Sequence, residues 1–148
     1  MTRNIKEFVN HDVAPRAVHA EFSPDHVCIL LALYNGAGML AEQLDSLAAQ
    51  SHRNWSLVIS DDGSTDRWLD VATRFADTRA VGRTWLISGP RKGFAQNFLS
   101  LLQVAGPSVP YAAFCDQDDV WMTDKLARAV ARLKTVPAGK PGLYCSRT

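Results

Sequence analysis

The run Val27-Cys28-Ile29-Leu30-Leu31-Ala32-Leu33 is apolar without interruption and is closed by Tyr34-Asn35-Gly36. A strand with one wet face alternates polar and apolar residues. A strand with no polar position is covered on both faces, the pattern of a parallel sheet between helices. Beyond the turn, Leu40, Leu44, Leu47 and Ala48 recur at helical spacing, which assigns Glu42, Gln43, Asp45 and Ser46 to the solvent side. The alternation then repeats. Trp55 to Ser60 reads as a second strand, and Trp68, Val71, Ala72 and Phe75 form one stripe of a second helix. Thr84 to Ile87 is a third strand, followed by a helix from Phe94 to Ala105 with Phe98, Leu101 and Leu102 inward. Tyr111 to Cys115 is a fourth strand, Leu126, Val130 and Leu133 mark a fourth helix, and Leu143-Tyr144-Cys145 begins another strand. Strands alternating with helices call for right-handed crossovers and a mainly parallel sheet. The expectation is one α/β domain over residues 26–148, after an extension, 1–25, that holds Pro15 and Pro24 and one short helix around Ile5 to Val9.

Composition narrows the function. The 148 residues suffice for a single core. With 16 basic against 15 acidic side chains the net charge is +1, which leaves no electrostatic footprint for nucleic acid. The longest apolar run, Val27 to Tyr34, is too short for a transmembrane segment, and the first residues lack a signal-peptide pattern. Cys28, Cys115 and Cys145 have no metal-ligand spacing, and the first two sit in strand-like runs, as buried thiols of a reducing compartment do. The expected location is the cytoplasm, with the inner face of the membrane reached through a partner or a further segment. His11, His19, His26 and His52 share no metal-binding spacing and are read as surface residues.

Ligands of an open parallel sheet bind beyond the carboxyl ends of its strands. Four polar clusters fall there: Tyr34-Asn35-Gly36, Asp61-Asp62-Gly63-Ser64-Thr65-Asp66, Pro90-Arg91-Lys92-Gly93 and Asp116-Gln117-Asp118-Asp119. In the last, Asp116 and Asp118 can point to one side, and carboxylates that close ask for a cation such as magnesium or manganese. A solvated acidic turn, with Thr123 or Asp124 capping the next helix, is the other reading. The position on a rim with three other clusters favours a site. In the second cluster, Ser64 or Thr65 can serve as a helix N-cap while a carboxylate accepts from a base N–H. Arg91 and Lys92 on their glycine turn can neutralise a phosphate with the following helix N-terminus assisting, or stay solvated. Asn97, in the first turns of the third helix, can hold the loops or meet a ligand, and the first role is favoured. Gly36-Ala37-Gly38-Met39-Leu40-Ala41 also matches a dinucleotide fingerprint with Asp61 and Asp62 downstream, so an NAD(P)-dependent oxidoreductase is the rival. That rival gives the acidic cluster no role.

Taken together, Val27 to Gly36, Gln50-Ser51-His52-Arg53-Asn54-Trp55 and Asp61 to Asp66 resemble the opening of family 2 glycosyltransferases of the GT-A fold. Phe114 to Trp121, Asp124-Lys125-Leu126 and Gly93 to Phe98 resemble its rhamnosyltransferase-like branch. The resemblance implies a Rossmann-like nucleotide-diphospho-sugar transferase fold and a UDP- or dTDP-sugar donor. Ala32 and Tyr34 would line the nucleoside pocket, Asp62 would accept from the pyrimidine N3–H, and Asp116 would lie near the ribose and diphosphate. Asp118 would coordinate a divalent cation, Mn2+ or Mg2+, and Lys92 would face the phosphates. Transfer, with inversion, would go to a glycan or lipid-linked acceptor in cell-surface polysaccharide synthesis, with dTDP-rhamnose as the favoured donor. The general base and acceptor pocket of the family lie well downstream of the Asp-x-Asp motif. The expectation is therefore a domain whose C-terminal part is missing, with a catalytically dead nucleotide-sugar-binding fragment as the alternative to an enzyme.

Overall fold

The computed structural model describes residues 22–146. The helix expected around Ile5 to Val9, and His11 and His19, lie outside the described residues. Within them the order is β1 (Val27–Leu33), α1 (Ala37–Ala48), β2 (Trp55–Asp61), α2 (Trp68–Thr78), β3 (Thr84–Ser88), α3 (Phe94–Ala105), β4 (Tyr111–Asp116) and α4 (Lys125–Leu133). All three strand pairings are parallel, and the sheet order is β3-β2-β1-β4. No strand forms at Leu143 to Cys145, where Leu143 is almost fully exposed. Three residues without a strand to pair with gain no ladder bonds, and apolar character alone does not make a strand.

Burial follows the continuous apolar run. Every residue of β1 is buried, with β2 and β4 on its two edges. Val27, Ile29, Leu31 and Leu33 face a core shared with Leu40, Leu44, Phe75, Leu126 and Val130 of α1, α2 and α4. Cys28, Leu30 and Ala32 face a second core built on Leu101 and Ala105 of α3. Period two thus sorts one strand into two layers. Burial pushes the Cys28 thiol up to about 11 and raises Cys115 as well, which suits inert structural thiols.

Polar residues depart from the helical-wheel expectation. Gln43 and Ser46 are buried, because the Gln43 amide donates to Cys115 Sγ at 2.7 Å and the Ser46 hydroxyl accepts from the Trp121 N–H at 3.1 Å. On α3, Leu102 is exposed and Asn97 takes the inward place. His26 is buried, its ring nitrogens 3.0 Å from Asn54 Oδ1 and 2.9 Å from Ser56 Oγ, with Phe22 stacked on it.

Helix starts are also capped from elsewhere. Neither Ser64 nor Thr65 caps α2, which begins at Trp68 without a side-chain cap. At α4, Asp124 occupies the N-cap position but makes no capping bond. The buried Gln50 does that work: its Oε1 accepts from the Leu126 N–H at 3.1 Å while its Nε2 donates to the Met122 carbonyl at 2.8 Å. A hydrogen-bonding side chain after α1 therefore replaces the local cap of α4, 76 residues on. Gln50→Ala takes the acceptor from the buried Leu126 N–H, while the Met122 carbonyl keeps the Lys125 N–H, and is expected to cost about 1–3 kcal/mol. The check is a urea melt, in which the midpoint should fall with the slope unchanged. A cost near zero would show that α4 is held at its start by something else.

Candidate functional site

From β1 the sheet grows through β2 to β3 on one side, and β4 joins on the other. The chain reverses its direction of growth between β1 and β4, the switch point at which open α/β sheets bind ligands. A cleft of about 830 Å³ lies there. Ala32 and Asp116, register partners across β1 and β4, both line it. Tyr34, Asp62 and Asp118 line it too, so five of the six residues singled out in the sequence meet in one place. Lys92 is exposed and does not line the cleft, whereas its neighbour Arg91 does.

The loops that form the cleft are fastened to one another by side chain to backbone bonds. Asn35, at φ 49°, donates its N–H to Ser64 Oγ at 2.8 Å and accepts from the Thr65 N–H at 2.9 Å. Asp66 Oδ2 accepts from the N–H of Ala37 at 2.8 Å and so caps α1 from the loop after β2. Polar residues that suggested a turn opening α2 are spent on the loop after β1 instead. Asp62 reaches the third loop. Its Oδ1 accepts from the Arg91 N–H at 2.6 Å, with Lys92 N at 3.4 Å, and its Oδ2 accepts from the Gly93 N–H at 2.7 Å. Arg91 and Gly93 have φ of 57° and 87°, so successive N–H groups turn inward as an anion nest. The nest that the sequence offered to a phosphate is filled by the chain's own carboxylate, and only the Arg91 guanidinium remains for that task. A carboxylate has about four lone-pair sites, so Asp62 keeps room for one more donor.

Two features close the remaining joints. Asn97 is buried and lines the cleft; it accepts from the Ser60 hydroxyl at 2.5 Å and donates to the Ser60 carbonyl at 2.9 Å, which ties the start of α3 to β2. A Cβ on Gly89 would stand 2.8 Å from Asn97 Oδ1 and 2.9 Å from the Asp61 carbonyl, so that turn admits glycine alone. Gln117 had no assigned role in the sequence, yet its Oε1 accepts from the Tyr34 N–H at 2.8 Å and its Nε2 donates to the Tyr34 carbonyl at 3.1 Å. An amide is the only group in the acidic turn that both donates and accepts, and that was the available signal. Phe94 was also missed. It lines the cleft at the start of α3 with 77% of its surface exposed, too open to serve the core.

The acidic turn suits a cation completed by a ligand. Asp116 is raised above the ordinary aspartate range, first by burial and then by the charges of Asp119 and Asp118. Among the described residues no group of three or more His, Cys, Asp or Glu is arranged to hold a metal ion alone. One or two carboxylates plus substrate phosphate oxygens is how magnesium is commonly bound, and hard oxygens suit manganese equally. The carboxylates of the acidic turn fit that arrangement.

Gly36 distinguishes the two nucleotide readings. A Cβ there would stand 2.5 Å from Gln117 Oε1 and 2.6 Å from its Cδ, so the glycine makes room for a protein side chain. Gly38 has nothing within 4 Å of an added Cβ. The first glycine of the dinucleotide fingerprint is thus explained without a dinucleotide. Gly36→Ala is expected to destabilise the chain by about 1–3 kcal/mol. Adding Gln117→Ala should recover a large part of that loss in a double-mutant cycle followed by thermal melts. Additive losses would show that Gln117 is not what requires the glycine.

Residues 28–139 match the sequence profile of Glycosyl transferase family 2. The dTDP-rhamnosyl transferase RfbG of Shigella flexneri is 36% identical over 102 residues, which cover 68% of this chain and 35% of that protein. The UDP-Glc:alpha-D-GlcNAc-diphosphoundecaprenol beta-1,3-glucosyltransferase WfaP of Escherichia coli is 29% identical over 109 residues, 74% of this chain and 41% of that protein. Among solved structures, the mannosyltransferase PcManGT of Pyrobaculum calidifontis, in complex with GDP-Man and Mn2+, superposes with a TM-score of 0.63 at 25% identity, over 81% of this chain and 37% of that one. The chain spans a little over a third of the length of these relatives. The parallel sheet, the cleft at its switch point and the profile match agree: this chain belongs to glycosyltransferase family 2 and carries its GT-A fold.

Proposed function

We propose that the chain forms the donor-binding part of a glycosyltransferase that uses a pyrimidine nucleoside diphosphate sugar. The observation that carries this reading is the convergence of Ala32, Tyr34, Asp62, Asp116 and Asp118 on one cleft. Ala32 and Tyr34 line the nucleoside end. Asp62, already fixed by the 91–93 turn, uses its remaining lone pair to accept from the base N3–H. A base without that donor leaves the lone pair unmatched, which is a source of selectivity. Asp116 lies toward the ribose and diphosphate, and Arg91 supplies positive charge for the phosphates.

Asp118 holds the divalent cation, Mn2+ or Mg2+. When bound, that ion supplies Lewis-acid stabilisation of the negative charge developing on the departing diphosphate. The sugar passes to an acceptor hydroxyl with inversion, in the synthesis of a cell-surface polysaccharide on the cytoplasmic side of the membrane. Among the described residues no helix is long and apolar enough to cross a membrane. RfbG, by its name a dTDP-rhamnosyl transferase, supports dTDP-rhamnose as the donor, and the name of WfaP supports a glycan or lipid-linked acceptor.

Titration calorimetry tests the donor site. UDP or dTDP should bind at least about tenfold more tightly with manganese than without it, a gain of about 1.4 kcal/mol. Asp118→Ala should abolish the manganese effect, and Asp62→Ala should weaken nucleotide binding with or without the metal. Tight binding of a nicotinamide dinucleotide, insensitive to Asp118→Ala, would contradict the reading.

A further inference from the structure

The charge of the chain is unevenly divided. Through Asp124 there are 10 basic and 15 acidic side chains, and after it there are 6 basic and none acidic. The net charge of +1 therefore conceals a basic C-terminal stretch, and nothing in the donor reading uses it.

The fold gathers that charge on one surface. In α4, Leu126 and Val130 are buried, while Lys125, Arg128 and Arg132 recur at spacings of three and four on the opposite side. Arg128 and Arg132 are exposed, as are Lys134 and Lys140 beyond the end of the helix. The chain then turns back along α4. Gly142 lies against Leu133 and Val136, and Tyr144 joins Met122 and Arg128 around a cavity of about 400 Å³ at the start of the helix.

Some of these cations have company. Arg128 is 3.6 Å from Asp124, and the Lys125 ammonium lies 4.5 Å from the centroid of the Trp121 ring. Asp25, held low first by Ser23 and Asn54, also feels Lys134. The side chains of Arg132 and Lys140 join no ion pair among the described residues. Arg132 stands about two turns from Asp124, so the free positive charge lies toward the far end of α4 from the acidic turn.

A second observation selects the partner. Leu143 is 89% exposed and Met122 is 73% exposed, and both belong to this basic surface. A nucleic acid would use the cations and leave these aliphatic tips in water. An anionic phospholipid surface takes both, the headgroups receiving the cations and the headgroup–acyl boundary receiving the apolar side chains. We propose that the outer face of α4 and the segment 140–143 dock the chain on an anionic bilayer, with Arg132 and Lys140 supplying charge and Leu143 entering the interface. The membrane expected to be reached through a partner or a further segment is then reached by this chain itself. The inference stands independently of the donor reading. Asp118 lines both the nucleotide cleft and the cavity at the start of α4, so docking there also brings the cleft close to the lipid surface.

Cosedimentation of the full chain with vesicles tests it, using phosphatidylcholine alone and phosphatidylcholine with about one third phosphatidylglycerol. Binding should require the anionic lipid and should fall steeply as salt is raised toward about 0.5 M, where charges are screened within a few ångströms. Each Lys or Arg near such a surface strengthens binding about fivefold, so Arg132→Gln combined with Lys140→Gln should weaken it at least about tenfold. Leu143→Ser should weaken it about fivefold and leave the salt dependence in place. All three side chains are exposed, so the thermal melt and the calorimetric affinity for UDP with manganese should not change. Equal binding to both vesicles, no binding to either, or full binding by the double variant would overturn the proposal. So would single-stranded RNA held more tightly than the vesicles at the same salt. If vesicles bind and UDP does not, the donor reading falls and this one stands.

Discussion

Three loops of the cleft meet at one residue, Asp62. Asp62 sits at the end of β2, its own N–H donates to the carbonyl of Leu33 at the end of β1, and its side chain collects N–H groups from the turn after β3. Each such bond is worth about 1 kcal/mol net. Their combined effect is geometric. Arg91 adopts a left-handed conformation that most residues avoid, and the converging bonds hold it there. Without that hold the wall of the cleft that carries Arg91, Gly93 and Phe94 would have no fixed place.

The same device recurs around the rim. Asn35 with Ser64 and Thr65, Asp66 with Ala37, and Gln117 with Tyr34 all join the side chain of one loop to the backbone of another. A loop that satisfies its polar groups through a neighbour is positioned by that neighbour. Beneath them, β1 fixes the whole set, because it is buried on both faces and paired on both edges. The cleft is a consequence of strand order together with these bonds, and it places hydrogen-bonding groups in advance of any ligand, which lowers the ordering cost of binding.

Much of this was legible in the residues. The unbroken run from Val27 to Leu33 announced a strand covered on two sides, and the alternation that follows led to the right elements in the right order. Membership of the glycosyltransferase family was legible from Asp61 to Asp66 and from Asp116 to Trp121, read together. Long-range polar bonds were not. Gln43, Ser46 and Gln50 look like surface residues because polarity is the only local signal they carry, and their partners at Cys115, Trp121 and Leu126 lie more than 70 residues away. His26 was misassigned for the same reason. The 91–93 turn had the right glycine-rich form for an anion, but only the fold reveals that Asp62 is the anion. Leu143 to Cys145 shows the opposite error, an apolar triplet read as a strand with no neighbour to make it one.

The central claim is that a pyrimidine nucleotide lies between Asp62 and Asp118 at the switch point of the sheet. Backbone amide resonances of the chain, recorded with UDP and paramagnetic manganese, test it directly. The account predicts that the amides of Arg91 and Gly93 shift as Asp62 takes up the base, and that broadening by the ion centres on residues 116–119. Shifts confined to the glycine turn at 36–41, or broadening centred away from the acidic turn, would contradict it.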